Sequence, residues 1–299
     1  MKKPFVALGE ASTFGSFHPI VTFLYFSSVI LITMFSKSPV FLALTFLAGF
    51  LYSILLGGWK TARFNLIFAI PVLLITMIIN PLSNHQGVTV LFYLNYNPIT
   101  LEAVLYGLAS AVMLVSMMMW FSCFSKIITS DKIIYLFGRI APVLALLFSM
   151  CFRFVPLFKT RYREIHEGQK GMGRQFPKKS LIKKARLFAK ELSILIAWSL
   201  EASIETSDSM EARGYGLRGR TSFHVFKFTK RDRNVLPFIL IPTVIVAVGC
   251  FFGVNNIYYY PAIVFPSSAL WTGLVAGGYL LLLALPIIID IKGEYFGKE

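Results

Sequence analysis

Five tracts of this chain contain no charged side chain: residues 11–36, 38–59, 64–101, 103–125 and 234–289 carry neither Asp, Glu, Lys nor Arg. A helix that crosses a hydrocarbon core about 30 Å thick needs about 20 mostly apolar residues, at a rise of about 1.5 Å each. Each tract is long enough for one crossing and the longer ones for two. A helix on a water-soluble core keeps a charged face, so tracts of this length exclude an ordinary soluble domain. The composition agrees, with 56% hydrophobic and only 14% charged residues among 299.

The tracts predict spans at about 19–35, 40–56, 64–80, 103–125, 236–254 and 270–291. Residues 81–101 hold no Lys or Arg but do hold Pro81, Asn84, Gly87, Asn95, Asn97 and Pro98, the composition of an external loop, with 87–93 as a short extended piece. The basic residues are concentrated elsewhere: 22 of the 29 Lys and Arg, with 9 of the 14 acids, fall between 126 and 233. Lys- and Arg-rich segments beside spans stay in the cytoplasm and attract anionic headgroups of the lipid bilayer. The expected topology is a multi-pass protein of the plasma membrane with both termini cytoplasmic and Lys37 as the one basic residue on the outer side. No apolar run with a cleavage site follows Lys2 and Lys3, so no removable leader is expected.

The fold class that follows is an all-α polytopic membrane protein with about six transmembrane helices and a cytoplasmic helical domain. Residues 1–125 form about four membrane helices, 126–233 the basic domain, and 234–299 about two more helices. Within the basic domain, Ser130 before Asp131 suits a helix start. A helical run punctuated by Pro142 and Pro156 extends to about Met172 and ends at Gly171, Gly173 and Pro177. A second long helix runs from about Ser180 to Arg213 and stops at Gly214, a residue suited to the left-handed conformation of a helix C-terminus. The apolar stretches 140–152 and 192–200 are too short to span and should lie against the membrane underside or other helices.

The closing string Glu211-Ala212-Arg213-Gly214-Tyr215-Gly216 is the sharpest local feature. An Ala-Arg-Gly at the end of a long cytoplasmic helix, in a basic chain of about six spans, resembles the transmembrane T component of energy-coupling factor (ECF) ABC importers. Asp131-Lys132, Phe137-Gly138-Arg139, Pro142, Ser149-Met150 and Arg153-Phe154-Val155-Pro156 resemble the approach to that family's first coupling helix. The resemblance implies two ABC ATPase subunits whose grooves receive two such helix ends. It also implies a small membrane-embedded substrate-binding S component that takes up a vitamin or metal ion. Here the first motif reads Gly171-Met172-Gly173, with Met172 where the family has arginine and Lys170 and Arg174 beside it. The arginine role carries over to Arg213 alone; the first groove is engaged by packing of Met172 or by Arg174.

A guanidinium at a helix end can fork two hydrogen bonds onto a partner carboxylate, while glycine beside it admits close backbone approach. Losing such an arginine from an interface costs about 2–5 kcal/mol. Its blander role, complementing the helix dipole, is worth about 0.3–1 kcal/mol.

Other chemistries find little support. No phosphate-loop Gly-Lys-Ser/Thr occurs, so ATP hydrolysis is expected in partner subunits and no enzyme activity or cofactor in this chain. Cys123, Cys151 and Cys250 form no CxxC pair, and His18, His85, His166 and His224 show no metal-ligand spacing. Met113, Met117, Met118 and Met119 suit soft packing. The basic run 178–190 has few interleaved aromatics and spans on either side, so nucleic acid is not the expected partner. A self-sufficient secondary transporter or channel is the alternative, although the expected spans carry no mid-membrane charge and no visible repeat. A membrane enzyme using Glu201, Glu205 and Asp208 lacks a partner base or metal site.

Overall fold

The computed structural model describes residues 12–94, 96–138, 140–173, 181–217, 226–255, 257–260 and 269–296. After a 3-10 turn at Phe14–Ser16 come α1 (Pro19–Phe35), α2 (Pro39–Ser83), β1 (Val90–Leu94), β2 (Asn97–Thr100), α3 (Leu101–Ile127), α4 (Ser130–Gly138), α5 (Pro142–Gly171), α6 (Leu181–Ala212), α7 (Lys230–Phe251) and α8 (Ala269–Phe296). By length and composition α2, α3, α5, α7 and α8 can each cross a membrane, and α1 is an apolar helix of 17 residues. The chain is a multi-pass α-helical membrane protein.

Two compact units emerge, one of residues 1–133 with 226–299 and one of residues 134–225. In the first, α2 packs along α3, α7 along α8, and α1 lies against both α3 and α7. Its core is aromatic: Phe14, Tyr25, Phe26, Tyr52 and Trp120 are fully buried. They meet mostly edge-on, with Tyr25 and Phe26 rings 5.3 Å apart and Phe26 and Trp120 6.2 Å apart. Several polar atoms inside this unit find protein partners, as a dry interior favours, while the Tyr25 and Tyr260 hydroxyls, Ser36 Oγ and Asn255 Oδ1 are buried without one. Trp120 Nε1 donates to the Thr45 carbonyl at 3.1 Å, and the Tyr279 hydroxyl lies 2.8 Å from Thr45 Oγ1 and 3.2 Å from Thr33 Oγ1.

The 45 residues of α2 are two expected spans joined without a loop. The join is Gly58, whose φ of 66° and ψ of −180° no other residue type adopts cheaply. β1 and β2 form an antiparallel hairpin in the expected external loop, with Phe92 paired to Ile99 and Leu94 to Asn97. At its base Glu102, in the first turn of α3, accepts from the Thr89 hydroxyl and backbone N–H.

The second unit departs from the sequence reading in one respect. The apolar residues 140–152, read as too short to span, do not stop at Arg153. They open a 30-residue helix, α5, whose first part is apolar enough to span. Arg153 is the one charge between residues 140 and 158, and it breaks the apolar run on paper without ending it in three dimensions. Pro156 lies inside this helix.

Alanine at Gly58 imposes a strained backbone costing on the order of 1–3 kcal/mol. Gly58→Ala should therefore melt several degrees below wild type in detergent, followed by tryptophan fluorescence. Gly277→Ala in α8, where an added Cβ meets nothing within 4 Å, should match or exceed wild type. Equal melting of the two variants would show that the kink carries no strain.

Candidate functional site: two capped helix ends

α5 and α6 run in opposite directions and touch along one line of side chains. The Phe158 and Trp198 rings sit 6.2 Å apart and the Arg161 guanidinium lies 5.0 Å from the Trp198 ring centre. Farther along, Tyr162 meets Phe188 at 6.1 Å and His166 Nδ1 lies 2.9 Å from Glu191 Oε1. Glu191 is only 2% exposed, so an acidic side chain in the basic first third of α6 is turned inward to meet the histidine. The His166 side chain is 37% exposed, so a buried carboxylate on α6 is met by a part-exposed histidine on α5.

Beyond this contact line the two helices end in the same way. At the end of α6, Arg213 N–H donates to the Ser209 carbonyl at 3.2 Å and Gly214 N–H to the Glu211 carbonyl at 2.9 Å. Tyr215 N–H then reaches back to the Met210 carbonyl at 3.0 Å, completing a Schellman cap with Gly214 at φ 80°. At the end of α5, Met172 N–H donates to the Gly168 carbonyl at 3.1 Å and Gly173 N–H to the Lys170 carbonyl at 3.0 Å, with Gly173 at φ 79°. Arg213 and Met172 thus occupy equivalent places, each the last residue before a left-handed glycine.

Both side chains point away from their own chain. Met172 is 62% exposed, Ala212 and Arg213 are exposed, and among the described residues nothing holds the Arg213 guanidinium. Because the helices are antiparallel, the two ends lie at opposite ends of the pair. At about 1.5 Å per residue, Arg213 is about 22 Å beyond Trp198 in one direction and Met172 about 9 Å beyond His166 in the other. The last turns of α6 carry exposed Glu201, Glu205, Asp208 and Glu211, a solvated acidic face rather than a cluster that could hold a metal. Arg174, expected beside the first motif, lies outside the described residues.

Sequence reasoning located both ends but missed what lies between them. The His166–Glu191 pair had no local signal, because 25 positions separate its members. The equivalence of Met172 and Arg213 was already legible in the sequence, through the glycine that follows each.

A multi-pass helical membrane protein with an appended pair of long helices, each ending on a residue poised before a left-handed glycine, is the class these features define. The family described as CbiQ, cobalt transport protein, matches residues 17–224, and the chain belongs to it. It is similar to the energy-coupling factor transporter transmembrane protein EcfT of Lactobacillus helveticus, 36% identical over 99 residues, 33% of this chain and 36% of that protein. The EcfT of Lactococcus lactis is 31% identical over 103 residues, 34% of this chain and 39% of that protein. Each match spans little more than a third of the relative's length.

Gly214→Ala puts a Cβ 3.0 Å from Leu217 Cδ1 at a left-handed φ, a conformation costing roughly 1–2 kcal/mol for an L-residue. Amide hydrogen exchange in residues 209–215 should quicken about tenfold while the middle of α6 stays unchanged. Unaltered exchange in that last turn would mean the cap does not depend on glycine.

Proposed function

We propose that this chain is the transmembrane T component of an ECF-type ABC importer. It passes the closing and opening of two ATPase subunits to a membrane-embedded S component that carries a vitamin or metal ion. The observation that carries this reading is the pair of helix ends, at opposite ends of α5 and α6, that share an i−4 bond followed by a left-handed glycine and each offer an exposed residue. Membership of a transport family adds to it, as does likeness to proteins named as transmembrane subunits of energy-coupling factor transporters. Two separated ends suit two partners. Arg213 presents a forked donor to an acidic groove, and Gly214 lets the partner backbone come close. Met172 presents a flexible apolar side chain to its own groove. In this reading residues 134–225 and both termini face the cytoplasm, where the ATPases bind.

A self-sufficient transporter would need ionisable groups free to bind a coupling ion along a membrane path. Among the described residues, the buried carboxylates of the membrane unit are already engaged. Glu102 is bonded to Thr89, Asp232 to His18 and Thr229, and Asp290 to Phe14 and Tyr52.

Purified with a tag, the chain should bring down two ABC ATPases and a small membrane protein. Arg213→Glu should reduce the bound ATPase at least about tenfold, as expected when a docking arginine meets an acidic groove with reversed charge. Met172→Ala should weaken it less. Full retention of the ATPases by Arg213→Glu, or transport of solute by the purified chain alone, would refute the assignment.

A further inference from the structure

The membrane unit contains a turn that the proposed function does not use. Residues 12–18 precede α1, and side chains from α4, α7 and α8 grip their backbone. Phe14 N–H donates to Asp290 Oδ1 of α8 at 2.7 Å, and His18 N–H to Asp232 Oδ1 of α7 at 2.9 Å. Lys132 Nζ of α4 donates to the Gly15 carbonyl at 2.6 Å and also to the Ile127 carbonyl at the end of α3 at 2.8 Å. Arg231 of α7 donates to Ser16 Oγ at 3.2 Å and to the Thr13 carbonyl at 3.3 Å, with its guanidinium 4.0 Å from the Phe17 ring centre.

Packing an apolar turn needs none of these charges; Phe14 and Phe17, both buried against the aromatic core, would suffice. Hydrogen bonds with an ionised partner are roughly twice as strong as neutral ones. Asp290 is fully buried, Asp232 and Lys132 nearly so, and a buried charge stripped of its partner is heavily penalised. Burial also holds the Lys132 ammonium below the ordinary lysine range. The turn is therefore held firmly, and the positions of the gripping residues along the chain show what it holds. The unit of residues 134–225 joins the membrane helices at two places, just after residue 133 and just before residue 226. Lys132 lies on the first connection; Arg231 and Asp232 lie on the second. Both connections fasten to one seven-residue turn, and Asp290 fastens that turn to α8.

We propose that residues 12–18 form a fixed anchorage that ties both connections of the coupling unit to each other and to α8, with Lys132, Arg231, Asp232 and Asp290 as positioning residues. Motion of residues 134–225 then reaches the membrane helices through one stiff base instead of being lost in two independent hinges. This rests on the coupling role proposed above, and the two are separable by experiment.

The test is hydrogen exchange on the complex of this chain with its co-purified ATPases, with and without ATP and vanadate. Wild type should respond to nucleotide both in α5 and α6 and in the turn, α7 and α8. Arg231→Gln removes an exposed side chain and leaves the core intact; Lys132→Met removes the ammonium and keeps the length. In both, the response of α5 and α6 should persist while that of the turn, α7 and α8 falls about fivefold or more. Arg231→Lys, which keeps charge and reach, should recover most of it. In the chain alone, the amides of Phe14 and His18 should exchange far more slowly than an unstructured peptide. An undiminished α7 and α8 response in Arg231→Gln overturns the anchorage, as do freely exchanging Phe14 and His18 amides in wild type. If Arg213→Glu keeps its ATPases, the coupling role fails instead, while the exchange of those two amides still reports on the turn.

Discussion

A carboxylate or ammonium buried away from water has to be met by donors or acceptors of the protein itself, and in this chain the partners are largely main-chain groups. Asp290 and Asp232 take the N–H of Phe14 and His18, while Lys132 takes the carbonyls of Gly15 and Ile127. Much of the rest of the membrane unit also satisfies its polar groups internally. Among the described residues its regular structure is helical except for one small hairpin, and hydroxyls fold back on carbonyls one turn earlier, as at Thr33, Thr45 and Ser116. Where side-chain charges persist in such an interior, they are not there for solubility. They hold segments that helix packing alone would leave free to hinge.

The helices were legible because their physical cause is local. A tract without charges that is long enough to cross a bilayer has one economical solution, and α1, both limbs of α2, α3, α7 and α8 fall where the tracts lie. The end of α6 was legible for the same kind of reason: Gly214 follows the last helical turn and takes a left-handed φ there. The 13-residue limit set on residues 140–152 treated Arg153 as an end. A single long cation can extend its head away while its stem stays among apolar neighbours, so one arginine does not stop an apolar helix. The anchorage of residues 12–18 left no local trace at all. Its bonds join positions 276, 214 and 117 residues apart, and an acid meeting a backbone N–H looks, in sequence, like any other acid at a helix end.

The two capped ends separate what is shared from what differs. The backbone device is the same at Met172 and Arg213: an i−4 bond at the last residue, a bond from glycine three residues back, and a left-handed glycine that turns the chain away. That device exposes whichever side chain precedes the glycine, so presentation is set by the cap and affinity by the residue. With arginine the end seeks a carboxylate and tolerates little displacement, because a forked hydrogen bond fails when its geometry slips. With methionine the end seeks an apolar hollow and tolerates sliding, since a flexible thioether repacks at small cost. On the proposed reading one ATPase is held rigidly at Arg213 and the other more loosely at Met172, so the pair α5 and α6 is driven mainly from the α6 end. The buried Glu191 on α6 and its partner His166 on α5 lie on the line that turns such a one-sided push into movement of both helices.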